Sequence, residues 1–335
     1  MRIPYKYFSL LLLVSLFVGC SSHDDEGLQT VDMPVRIAIP TGNMVMRAYG
    51  DPGTYETFQL PRYIYLFLVT THTHNGVTTK TVQRPLSHTL SADKWEKKLG
   101  AQTAFQVAGT DSLYVYTGDI HVMLPKDRTS GEVYCAVSPV ELDISDHGYP
   151  QTEEAVKNVT FNFKADASGS YDFLKDIYTS PYNYKIGGKY YGEVTDYATD
   201  YPSVDMVLYH VAARLDLDWN VAPAIQPNVR LSGISVSDLK KENCYLFRPM
   251  ENDGAGANTY TYDLPVNIGN QWYGRHYFYI IPYKNGGEFP IRLQMRKNGS
   301  TVNKLQQVNI QIAKTSPVFT PWMYGQIAIN NGWTE

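Results

Sequence analysis

Catalytic and cofactor motifs are missing from this sequence. It has no His-Glu-x-x-His pair for zinc, no Gly-x-Ser-x-Gly elbow for a nucleophilic serine and no Walker loop for a phosphate. Basic excess is missing too. Lys and Arg total 29 against 33 Asp and Glu, for a net charge of −4. No basic stripe follows the spacing of a nucleic-acid backbone. Cysteine is down to three. Cys135 and Cys244 lie far apart, each inside a strand-like run (VYCAV and NCYLF), where a thiol behaves as a small hydrophobe. A disulfide between them is open in an oxidising compartment, and two buried free thiols are the plainer reading. Long amphipathic helical patterns are scarce, and there is neither an internal repeat nor a low-complexity tract. No enzyme activity, cofactor, metal or nucleic-acid partner is therefore expected.

What is present begins at the N-terminus. Arg2 and Lys6 precede an apolar run from Phe8 to Val18 that stops at Gly19-Cys20. Positive charge, a short apolar core and a small residue at its end make an export signal. The run is shorter than the roughly 20 residues a permanent spanning helix needs. Phe17-Val18-Gly19-Cys20 resembles a lipobox, with Phe17 where leucine is usual. Residues 1–19 thus read as a lipoprotein signal peptide and Cys20 as the lipidation site. The alternative is an ordinary signal peptide that happens to hold a cysteine. Acyl chains on Cys20 suffice for stable anchoring, expected at the outer membrane. Ser21–Gly27 (SSHDDEG) reads as a solvated tether, and its acids resemble surface-export signals of some diderm bacteria. Loss of residues 1–19 removes Arg2 and Lys6 and no acid, moving the charge from −4 to −6.

The rest reads as all-β. Tyrosine is abundant (27), and short alternating segments bounded by Gly, Pro, Asn and Asp recur throughout. The clearest lies at 31–40, where Val31, Met33, Val35, Ile37 and Ile39 alternate with Asp, Pro, Arg, Ala and Pro. A period of two turns all five apolar side chains to one face. Their burial is worth roughly 7–15 kcal/mol, at about 1.5–3 each. Pro34 and Pro40 cannot donate to a ladder, which predicts an edge strand or one lying across a seam. Arg62–Val69 (RYIYLFLV) reads as a central strand, with others at 113–124, 132–137 and 158–163. The segment 173–181 is open between a strand and a helical turn. A change of domain is expected near Ser203, and seven further strands follow.

Three stretches resemble the fimbrillin family, the subunits of type V pili. Arg47-Ala48-Tyr49-Gly50 is similar to the junction at which a trypsin-like protease removes the family's N-terminal strand. His210–Leu215 (HVAARL) is similar to the stretch that opens its C-terminal domain, and Asp176–Ser180 resembles a segment late in its N-terminal domain. The resemblance implies two tandem β-sandwich domains of transthyretin-like, Greek-key type behind the signal peptide. Residues 20–47 would hold the tether and a removable strand, 48–203 the first domain and 204–335 the second. It further implies assembly by donor-strand exchange. Val31, Met33, Val35, Ile37 and Ile39 would fill a groove until cleavage between Arg47 and Ala48 frees it for a neighbour's strand. The expected partners are other pilus subunits, a processing protease, the outer membrane and a host or glycan ligand. Shaft subunits of the family carry a donor extension after the last core strand. Here 322–335 (WMYGQIAINNGWTE) is either that donor or a core strand, the latter suiting a tip or accessory subunit.

Other candidates weigh less. His72 and His74 share a strand face without a third ligand to complete a metal site. Asp143, Asp146 and His147 read as capping residues of a loop. Tyr182, Tyr184, Tyr190 and Tyr191 surround Gly187-Gly188, and packing at a sandwich edge is favoured over a platform for sugar rings. The rival to a pilus subunit is a surface glycan-binding lipoprotein of a polysaccharide-uptake system. A glycan hydrolase comes third, for want of a carboxylate pair.

Overall fold

The computed structural model describes residues 28–40, 59–83, 89–99, 105, 112–125, 130–145, 149–180, 185–186, 189–190, 194–195, 203–248, 259–264, 272–281, 287–297, 303–314 and 322–329. The chain is all-β, as its composition predicts. The first half gives β1 (Leu28–Pro40), β2 (Tyr63–His74), β3 (Val77–Gln83), β4 (Trp95–Leu99), β5 (Ser112–Pro125), β6 (Ser130–Ser138), β7 (Asp143–Ile144) and β8 (Thr160–Asn162). Then come β9 (Tyr178–Thr179), β10 (Lys185–Ile186), β11 (Lys189–Tyr190), β12 (Val194–Thr195), β13 (Ser203–Val207) and β14 (Tyr209–His210). The second half gives β15 (Ala213–Val221), β16 (Val229–Lys240), β17 (Cys244–Tyr245), β18 (Thr259–Asp263), β19 (Tyr273–Ile280), β20 (Gly287–Lys297), β21 (Asn303–Lys314) and β22 (Trp322–Ile329). Among the described residues one short α-helix occurs, α1 (Glu153–Lys157), capped by Thr152, whose hydroxyl accepts from Ala155 N at 3.1 Å.

Two five-stranded sheets, ordered β12-β13-β1-β5-β4 and β14-β9-β6-β2-β3, form the first sandwich. They meet over a core of Met33, Val35, Ile37 and Ile39 from β1, Ile64, Leu66 and Leu68 from β2, and Val133, Cys135 and Val137 from β6. The opposite faces of β2 and β6 are buried as well. Phe67, Val69, Tyr134 and Ala136 belong to a second core shared with the C-terminal half. Burial on both faces is why 62–69 reads as a continuous apolar run rather than an alternating one.

The second core is enclosed by a seven-stranded sheet, β18-β16-β20-β21-β22-β15-β19. Strand β21 pairs with β20 over residues 303–312 and meets β22 only at Ala313 and Lys314. Leu215, Leu217 and Trp219 of β15 and Leu231, Ile234 and Val236 of β16 share this core. A small sheet, β17-β8-β7, ties the two halves together. There Phe163 N donates to Lys241 O and Leu246 N to Val159 O, and Phe247 meets both Phe67 and Tyr134 edge-on with centroids 5.6 Å apart.

One expectation changes. Strand β1 is not at an edge: it lies between β13 and β5. Its prolines are tolerated because the pairing with β13 is short, covering only Val35–Ala38. Ala38 turns its carbonyl to Leu208 N, so the even-numbered Pro34 and Pro40 face the same side, beyond that ladder. The strands change sheets between His210 and Ala213, since β13 and β14 still pair with β1 and β9 while β15 pairs with β19 and β22.

Candidate functional site

The distinctive site is the slot in the first sandwich that β1 fills. It runs antiparallel to β5 through thirteen paired residues, from Leu28↔Pro125 to Pro40↔Leu113, and parallel to β13. Met33, Val35, Ile37 and Ile39 are fully enclosed. Their burial alone is worth roughly 6–12 kcal/mol, at about 1.5–3 each. Val31 is paired in register with Val122. Without β1, β5 and β13 would be separated by an open slot floored by Ile64, Leu66, Leu68, Val133, Cys135 and Val137.

The solvent side of β1 carries interactions that sequence patterning did not reveal. Asp32 is paired in register with His121 of β5, and their side chains are joined through His121 Nδ1. Arg36 is paired in register with Asp205 of β13. Its Nε donates to Asp205 Oδ1 at 2.6 Å and its Nη2 to the other carboxylate oxygen. This hydrogen bonding raises the Arg36 guanidinium above its ordinary value. Ala38, fully enclosed, sits in an outer apolar cluster with Phe105, Leu113, Val115, Val207 and Tyr209. In the sequence the even positions are simply Asp, Pro, Arg, Ala and Pro. Nothing there told which distant residues they would meet.

Two stretches that carry the fimbrillin resemblance come together beside the slot. His210 pairs with Tyr178 across β14 and β9, and their rings lie 4.6 Å apart. His210 Nδ1 lies 2.6 Å from the Lys175 carbonyl, which can only accept, so Nδ1 carries the proton. Burial pushes this imidazole down to about 4, against the modest opposing effect of the carbonyl. The Tyr178 hydroxyl donates to Asp176 at 3.3 Å. Residues 172–176 form a 3-10 turn before β9, which resolves the ambiguity at 173–181.

Cys20, Arg47 and Ala48 lie outside the described residues, as do Asp146, His147, Tyr182, Tyr184 and Tyr191. His72 and His74 occupy alternate positions of β2, and Tyr190 ends β11. Cys135 and Cys244 are both buried and free, in different cores. Among the described residues no group of three or more metal-ligating side chains occurs. No helix of the described residues is long and apolar enough to cross a membrane.

A separate cleft of about 990 Å³ opens where the first sandwich meets the small sheet. Tyr63, Tyr149 and Phe163 contribute aromatic surface, and Glu141, Lys164 and Glu242 contribute charge. The Tyr65 hydroxyl is held at its wall, accepting from Leu142 N at 2.6 Å, and burial raises this phenol to about 12.

No protein-family model and no curated protein matches the sequence. Solved structures do. A candidate cell adhesion protein from Bacteroides eggerthii is similar at 13% identity and a TM-score of 0.40, over 90% of this chain and 87% of that one. A tip fimbrial protein from Porphyromonas gingivalis, truncated at its C-terminus, is similar at 14% and 0.36, over 84% and 82%. A candidate polysaccharide-binding protein from Bacteroides thetaiotaomicron is similar at 10% and 0.38, over 90% and 92%. At these scores the likenesses carry no functional weight of their own.

Proposed function

We propose that this chain is a fimbrillin-like pilus subunit, structural or adhesive, in which β1 is a removable plug. One observation carries the reading: the first strand occupies the middle of a sheet and supplies one whole row of the core. A strand placed there by an N-terminal segment can be exchanged for a similar strand with little net change in buried area. The following residues 41–58 include Gly42, Asn43, Gly50, Pro52 and Gly53 around Arg47, the composition of a protease-accessible connection. Cleavage between Arg47 and Ala48 by a trypsin-like protease then releases β1, and a neighbour's strand takes its place. Lipid on Cys20 holds the precursor at the outer membrane. Strand β22 lies between β21 and β15 of its own sheet, with Ile327 and Ile329 buried, which favours a core strand over a piece donated to a neighbour. The test is Arg47→Ala. The variant should accumulate as an intact, folded, lipid-bearing monomer that stays out of fibres, and normal incorporation of uncleaved protein would refute the plug.

The cleft beside Tyr63 and Tyr149 favours a second reading, a surface glycan-binding lipoprotein. Retention of residues 28–40 in protein recovered from cells, together with measurable polysaccharide affinity, would select it.

A further inference from the structure

Apolar alternation repeats every two residues. It therefore fixes which face of a strand turns inward, but not which of several two-residue slips is adopted. Along β1 that ambiguity is removed from the outside. Asp205 stands opposite position 36. Two residues further on, Ala38 is flanked by Val115 and Val207 and enclosed with Phe105 and Tyr209. A slip of two in one direction would drive the Arg36 guanidinium into that apolar notch and set Asp205 against Pro34. Burying a charge without its partner is costly, so this slip is forbidden. The opposite slip sets Asp205 against Ala38 and puts Pro40 in the notch.

Resting on the reading of β1 as a replaceable strand, we propose that the outer rim of the slot is a register reader. It accepts a partner subunit's strand that bears a cation opposite Asp205 and a small side chain two residues later. It rejects strands that merely alternate. The charge on the rim states what the occupant must carry: Asp205 calls for a base, and His121, four positions away along the occupant at Asp32, accommodates an acid. Among the described strands only β1 combines four alternating apolar residues with an arginine and, two places on, an alanine. A donor from elsewhere in the fibre has to bring its own version of that pattern.

The experiment uses the full chain with a specific protease site placed in the 41–58 connection, cut after folding. Fluorescent peptides of sequence 28–40 are offered in excess and their entry into the slot is followed. The unaltered peptide should enter. The Arg36→Glu peptide, which sets two carboxylates face to face, should bind about tenfold more weakly or worse. On a chain carrying Asp205→Lys the order of the two peptides should invert. An Ala38→Leu peptide, overfilling the notch, should also lose about tenfold on the unaltered chain. Equal entry of all peptides on both chains overturns the register reader while leaving the plug in place. Failure of even the unaltered peptide to enter overturns both.

Discussion

Trp219 of β15 and Gly274 of β19 are paired in register, and the indole lies so close over the glycine that a Cβ there would collide with Cζ2. Trp219 is buried in the core of the second half. Gly274→Ala is expected to lower stability by about 1–3 kcal/mol through overpacking. Trp219→Phe in the same chain should recover part of that loss, because the two changes act on one contact. Urea unfolding of the single and double variants checks both.

How much of this was legible beforehand differs by residue. The alternation of Met33, Val35, Ile37 and Ile39 announced a strand with one buried face, because the period of two leaves no other arrangement. Of the two places that Pro34 and Pro40 left open, an edge or a seam, the sheet excludes the edge. Whether a missing donor matters depends on the length of the neighbouring ladder, and that length is a tertiary fact. The pairing of Arg36 with Asp205 joins residues far apart in the chain. Charges at such separations leave no periodic trace. Nothing in the sequence singled out Gly274, since its indole neighbour lies on another strand.

Acid should weaken the first sandwich through His210. Its folded value of about 4 lies below the ordinary 6.5, so the unfolded chain binds the proton more readily. This contribution is complete above about pH 6.5 and is lost as the pH falls toward 4. Relative to His210→Asn, the native chain should lose on the order of 2 kcal/mol more across that window. Denaturant midpoints at a series of pH values report the difference, and parallel curves would contradict it.

The two thiols should report separately on the two cores. Burial raises both, Cys244 to about 12. Neither should react with a thiol reagent in the intact chain at pH 8. Cys135 shares its core with the β1 side chains, so it should become reactive when β1 is released, while Cys244 stays protected. Mass spectrometry of the labelled peptides distinguishes the sites.

Phe247 clamps the C-terminal half to the outer face of the first sandwich through Phe67 and Tyr134. Phe247→Ala should cost about 3–5 kcal/mol. It should also split a single calorimetric transition into two, as each half begins to melt by itself. A single transition at a merely lower temperature would show that other contacts hold the halves together.

Lipid attachment is checked directly. Cells fed a fatty-acid analogue should label the native protein and leave Cys20→Ser dark. Equal labelling of the two would place the anchor elsewhere.

The flanks of β1 also set the order in which the molecule can form. Asp32 and His121 are 89 residues apart in the chain, and Arg36 and Asp205 are 169 apart. The first strand to be made is therefore among the last to be locked, because its parallel neighbour ends only at Val207. Closing loops of that length costs entropy before any contact rewards it, and chains rich in such distant pairings fold slowly. During that interval the sheet is open along its middle, and residues 28–40 compete with any other extended segment for the vacancy. Being tethered to the same chain gives them a high local concentration in that race. Cutting the tether removes this advantage while leaving every contact in the slot unchanged.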